Sequence, residues 1–120
     1  MKRLPTRDRL HQIKRWFEDE WGYKVRLRVE RKLPKAYAGC LGCCEVGTKK
    51  EIPLVRVRLT NRTESIATLI HELAHVIDFH RNGWDERRKF EGHDRKWAAC
   101  HHEIETRFLY EGGESDSGFF

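Results

Sequence analysis

His71, Glu72 and His75 lie within one stretch, Asn61 to Arg81, and their types and spacing point to one kind of chemistry. On a helix, residues four apart stand one turn above each other, so His71 and His75 present two imidazoles to one ion from the same side. Glu72 follows the first of them and is placed to take a proton from water on that ion. This is the H-E-x-x-H arrangement of zinc hydrolases, in which two imidazoles hold the metal and the carboxylate serves as base. A catalytic zinc site has three protein ligands and one open position, so a third donor must come from elsewhere in the chain.

The helix that must carry the pair is well marked. Ile66, Leu69, Ile70, Leu73, Ala74 and Ile77 recur at three- and four-residue spacing and form an apolar stripe. Asn61 with Glu64 offers a capping-box-like start, and Asn82-Gly83 offers a stop.

The third donor is sought downstream. Gly92-His93-Asp94-Arg95-Lys96-Trp97 opens a further helix with Asp94 as N-cap, and Trp97, His101, Ile104 and Phe108 continue one face back to His93. His93 therefore stands at the helix entrance on the core side and is the ligand of choice. His80, five residues after His75, is rotated away from the pair. Metzincin spacing would need a ligand at Arg81, and the single methionine, Met1, cannot form a Met-turn. A carboxylate donor would be Glu91 or Glu103, Asp94 is a ligand or a partner of His93, and His101 is a core histidine or one behind the ligands.

With 120 residues the chain has the length of one domain with a modest core. Hydrophobic residues make up 38% and charged residues 36%, and no apolar run approaches membrane-spanning length, so no membrane partner is expected. Met-Lys-Arg-Leu-Pro leads into a charged helix rather than a signal h-region, so a cytoplasmic or otherwise intracellular location is expected, nucleoid and nucleus included. In that compartment the four cysteines read as thiols or metal ligands rather than disulfides. The net charge of +5 is uneven: residues 1–60 hold 16 Lys+Arg against 7 Asp+Glu, and residues 61–120 hold 8 against 12.

In chain order, Thr6 to Trp21 reads as a first helix with Leu10, Ile13, Phe17 and Trp21 as its stripe, Thr6 or a neighbour as cap and Gly22 as stop. Tyr23 to Arg31 alternates as a half-buried strand with Val25, Leu27 and Val29 inward. Ala36 to Val46 reads as a second strand, Gly47 to Lys50 as a turn, and Leu54 to Thr60 as a third strand with Val55, Val57 and Leu59 inward. Three short strands and tight turns predict an antiparallel sheet with one solvated face. The connection from Asn82 to Gly92 has a length that suits a segment bordering a site. Residues 1–110 are expected to form one domain, and residues 111–120 a flexible acidic tail.

The solvated face of that sheet would carry Arg26, Arg28, Arg56 and Arg58, with Lys49 and Lys50 at the turn. Such a patch suits nucleic-acid phosphates, or simply a solvated face that deters edge pairing. Cys40, Cys43 and Cys44 read as small buried thiols in a closely packed strand. A second zinc site there would need Cys100, His101 or His102 to complete it.

Taken together, H-E-L-A-H at 71–75, Gly-His-Asp-x-x-Trp at 92–97 and the preceding helix and three strands resemble the SprT-like metalloprotease domain and the related WLM group. The resemblance covers roughly residues 7 to 110 and is strongest in 55–108. It implies an α+β, minimal zincin-like domain: an N-terminal helix, a three-stranded antiparallel sheet, the HExxH helix and a C-terminal helix. It also implies a zinc-dependent endopeptidase, with relatives that digest proteins crosslinked to DNA. By position, His71, His75 and His93 would bind Zn2+, Glu72 would be the general base, and the strand near Val55–Thr60 would receive an extended substrate by strand addition. Trp97 stands where the family more often has Phe, and the connection to His93 is long for the WLM pattern. With no appended zinc finger or DNA-binding domain expected, any DNA dependence falls to the basic face.

The expected partner is thus a protein or peptide substrate, with DNA as a second partner through the basic face. Zinc-assisted peptide hydrolysis is the expected reaction, with Tyr37 and His80 as candidate oxyanion donors. The rival readings are a regulatory peptidase that cuts one repressor-like protein, and a non-enzymatic nucleic-acid-binding protein with structural zinc.

Overall fold

A computed structural model describes residues 4–46, 52–83 and 93–112. The turn with Lys49 and Lys50, most of the connection before His93 (Glu91 included) and the tail from 113 onward lie outside them. The elements are helix α1 (Thr6–Trp21), strand β1 (Arg26–Glu30), a 3-10 turn (Lys35–Tyr37), strand β2 (Gly42–Glu45), strand β3 (Leu54–Arg58), helix α2 (Arg62–Asn82) and helix α3 (Arg95–Arg107), which runs into a π turn (Phe108–Gly112). This is an α+β fold.

Helix α1 follows its stripe: Leu10, Ile13 and Phe17 are buried to 1% exposure or less. It starts after Pro5, which offers no side-chain cap, and ends where Gly22 turns left-handed at φ 73° and donates its N–H to Glu18. Helix α2 starts where the Asn61 side chain accepts the Glu64 N–H at 2.8 Å. Twelve of its 21 residues are buried, because it lies between the sheet, α1 and α3 rather than on the surface. Asp94 caps α3 by accepting the Trp97 N–H at 2.9 Å.

The sheet order is β1-β3-β2. β2 pairs antiparallel with β3, with Glu45 opposite Leu54, but β1 pairs parallel with β3, with Arg26 beside Leu54 and Glu30 beside Arg58. The sheet is mixed, not antiparallel throughout. Alternation of apolar and charged residues tells which face a strand buries and is blind to its direction. What reverses the expectation is the segment from 31 to 41. Its sequence predicts the end of one strand and the start of another, but its 3-10 turn carries the chain past β3 to the far side of the sheet, so β1 and β2 are never hairpin partners.

Val29, Val55 and Val57 face the core with Leu69, Leu73 and Ile77 of α2 and Ile104 of α3. Burial of each such side chain contributes roughly 1.5–3 kcal/mol, so this layer holds α2 against the sheet. At the open ends of the helices, Glu103 of α3 accepts from Trp21 of α1 at 3.1 Å and from Arg81 of α2 at 2.7 Å, so one carboxylate ties three helices. Trp16 lies at the core edge, edge-on to Trp21 and Phe108 at 5.5 Å. No helix among the described residues is long and apolar enough to cross a membrane.

Candidate metal and catalytic site

Helix α2 sets His71 and His75 one turn apart with ring centroids 5.3 Å from each other. The chain then leaves α2 and returns through α3, whose entrance carries His93 back over the pair. His93 Nε2 lies 2.9 Å from His71 Nε2, and the His93 ring centroid is 5.1 Å from that of His75. Each of the three rings offers one nitrogen, and these nitrogens all lie within 4.8 Å of one another. Among the described residues, this is the one group of His, Cys, Asp or Glu side chains gathered so as to hold a metal ion.

Electrostatics suit the same use. Burial and the neighbouring imidazoles lower the His71 pKa to about 4, and burial first, then the other imidazoles, lowers that of His75 to about 4. Both rings are therefore neutral at pH 7 and keep a lone pair to donate. Glu72 is 7% exposed, and burial raises its carboxyl to about 7, where a group can both take and return a proton. It borders a cleft of about 390 Å3 together with His71, Thr68 and Ala67 of α2 and with Leu41 and Gly42 at the start of β2.

Gly42 makes that cleft possible. A Cβ there would stand 2.6 Å from Thr68 Cγ2, 2.8 Å from the Arg56 carbonyl oxygen and 3.4 Å from Glu72 Cγ. Only glycine lets β2 lie this close to the helix that carries Glu72. The strand bordering Glu72 is thus β2, whose outer side is a sheet edge among the described residues. The strand near Val55–Thr60, expected to receive substrate at a sheet edge, is the central strand β3, where β1 and β2 occupy both sides. Strand order is a tertiary property and left no mark in the alternation; the small residues around Gly42 were the available signal.

Trp97 closes the site from α3. Its ring lies 4.7 Å from His71, 5.4 Å from His75 and 4.6 Å from His93, and stacks on His101 at 4.7 Å. A flat indole spans the three imidazoles and limits their rotation, which a smaller ring would do less completely.

The competing donors are placed elsewhere. Glu103 is engaged with Trp21 and Arg81, and that ion pair lowers its pKa. Asp94 Oδ1 is used as the α3 cap. His101 stands behind Trp97 with Glu105 at 3.5 Å, and His102 is exposed. His80 stacks on Tyr23 at 4.0 Å, and the Tyr37 hydroxyl donates to Glu45 at 2.7 Å, so neither points an obvious oxyanion donor at the cleft. Cys100 is buried, Cys43 and Cys44 are half-buried, and Cys40 is exposed; among the described residues the thiols join no ligand group. Burial raises the Cys43 thiol to about 12, far from the thiolate that a metal needs.

The basic face is less uniform than its sequence. Arg56 is paired with Glu30 at 2.6 Å and Glu45 at 3.5 Å, and is largely neutralised. Arg26 and Arg28 are exposed, and Arg58 borders a separate pocket.

Two histidines on a core helix, a third from the next helix and a buried glutamate beside a cleft are the makings of a metallopeptidase-like domain. The chain belongs to the SprT-like family, whose sequence model matches residues 6–115. Comparisons with curated proteins and with solved structures find no match.

Proposed function

We propose that this chain is a zinc-dependent endopeptidase of SprT-like type. The observation that carries the reading is the meeting of three imidazole nitrogens within 4.8 Å, next to a buried carboxylate at the wall of an open cleft. The donor set fits Zn2+: three imidazole nitrogens, two of them on rings that burial keeps neutral at pH 7. His71, His75 and His93 would hold the ion, which when bound supplies Lewis-acid activation of water and of the scissile carbonyl.

The chain's own residues do the rest. Glu72 takes the proton from the attacking water onto its carboxylate and returns it to the leaving amine; a pKa near neutrality suits both transfers. Trp97 keeps the imidazoles oriented. The outer edge of β2, unpaired among the described residues, supplies backbone N–H and C=O groups to an extended substrate, and the small Gly42 lets β2 lie close to Glu72. Substrates held on DNA belong to the same reading through the exposed Arg26 and Arg28, with Arg56 excluded by its two carboxylates.

A casein or unfolded-protein cleavage assay on zinc-loaded chain, with and without single-stranded DNA, tests this. Cleavage that Glu72→Gln abolishes is expected. A zinc-loaded, folded wild-type chain that leaves every protein intact would sink the peptidase reading and favour a structural zinc.

A further inference from the structure

Beyond the cleft, the segment that crosses from β1 to β2 encloses a second hollow of about 840 Å3. Its wall includes Arg31, Lys32, Lys35 and Arg58, and among the described residues no acidic one lines it. Among the described residues, none of these four cations has an ion-pair partner, in contrast to Arg56 close by, which Glu30 and Glu45 neutralise. Leu33, 5% exposed, gives the hollow an apolar floor. Four cations around one concavity repel each other and are held there by the fold, so an anionic group entering it gains from all of them at once.

The place of the hollow says what brings the anion. Cys40 lines it, and the next residue, Leu41, lines the cleft beside Glu72. A chain extended along the β2 edge advances about 3.3 Å per residue, so a few residues carry it from the cleft into the hollow. Nucleic acid fits less well. A phosphate backbone needs a long uninterrupted basic track, and Glu30 and Glu45 break the track one row away on the same sheet face.

We infer that this hollow is an acidic-residue subsite: it takes Asp or Glu side chains of the protein substrate a few residues from the bond that is cut. The inference rests on the peptidase reading for the word substrate, but its test does not require turnover.

The probe is a pair of fluorescein-labelled peptides identical except that one has an Asp/Glu block where the other has Asn/Gln. Their binding to zinc-loaded Glu72→Gln chain is followed by anisotropy. The acidic peptide is expected to bind roughly tenfold more tightly at low salt, with the preference shrinking as salt is added. The preference is expected to vanish in Lys35→Glu/Arg58→Glu, and equally in Lys32→Glu/Lys35→Glu, whose two exposed positions spare β3. Equal binding of the two peptides, or a preference indifferent to both double variants, overturns the subsite. So does a single-stranded oligonucleotide whose binding the variants abolish while the peptide preference persists, since the hollow would then serve nucleic acid. The protein-cleavage assay decides the peptidase reading separately, and the anisotropy result decides the hollow whichever way that assay falls.

Discussion

His71 and His93 stand with their Nε2 atoms 2.9 Å apart although 22 residues separate them in the chain. Two ring nitrogens at that distance both point at one spot, and a cation held there would accept a lone pair from each. Zinc analysis after exhaustive dialysis is expected to give one ion per chain in wild type. His93→Ala is expected to weaken retention by roughly a hundredfold or more, since two ligands from one helix turn remain. Equal retention in the variant would remove His93 from the site.

Glu72 is buried beside the cleft without being one of the three gathered donors. Glu72→Gln is expected to keep zinc and fold and to lower the cleavage rate by roughly 10²–10⁴-fold. Loss of zinc together with activity would instead make Glu72 a ligand.

Gly42 has no room for a side chain. Gly42→Ala forces β2 away from Thr68 or strains the Arg56 carbonyl, and is expected to cost about 1–3 kcal/mol in urea unfolding. Cleavage is expected to fall further than stability accounts for, because the displaced strand is the one beside Glu72. A variant as stable and active as wild type would mean that β2 does not approach α2 this closely.

Tyr37 offers a pH test away from the histidines. Its hydrogen bond to Glu45, then burial, raises the phenol pKa from 10.0 to about 12. The fold thus favours the protonated form. The stabilisation is fully present below pH 10 and is lost as pH rises through about 12. Of the three tyrosines, one is expected to ionise only near pH 12 in an absorbance titration, and Tyr37→Phe to remove that late step. The stability gap between wild type and Tyr37→Phe is expected to close over the same interval.

Much of this molecule was legible in its residues because local rules fixed it. Helix α1 has the expected bounds, Asn61 and Asp94 cap as their spacing implies, and His93 meets the HExxH pair because one face of α3 runs back to it. What was not legible depends on how strands are ordered. Val55 and Val57 bury the same face whether β1 runs with β3 or against it, so direction and edge were invisible to alternation. The same holds for charge: Arg56 and Arg58 read as equals two residues apart, and only the approach of Glu30 and Glu45 separates a neutralised arginine from one that lines a hollow.

The mixed sheet has a consequence for how the protein acquires its structure. Glu45 and Leu54 pair across nine positions, whereas Arg26 and Leu54 pair across 28. Closing the longer loop costs more chain entropy before any contact rewards it, so the β2–β3 hairpin is the pairing available early and β1 the strand that docks late. On that order, the edge beside Glu72 is laid down before the sheet is complete, and substitutions in β1 slow the last stage of folding without touching the edge itself.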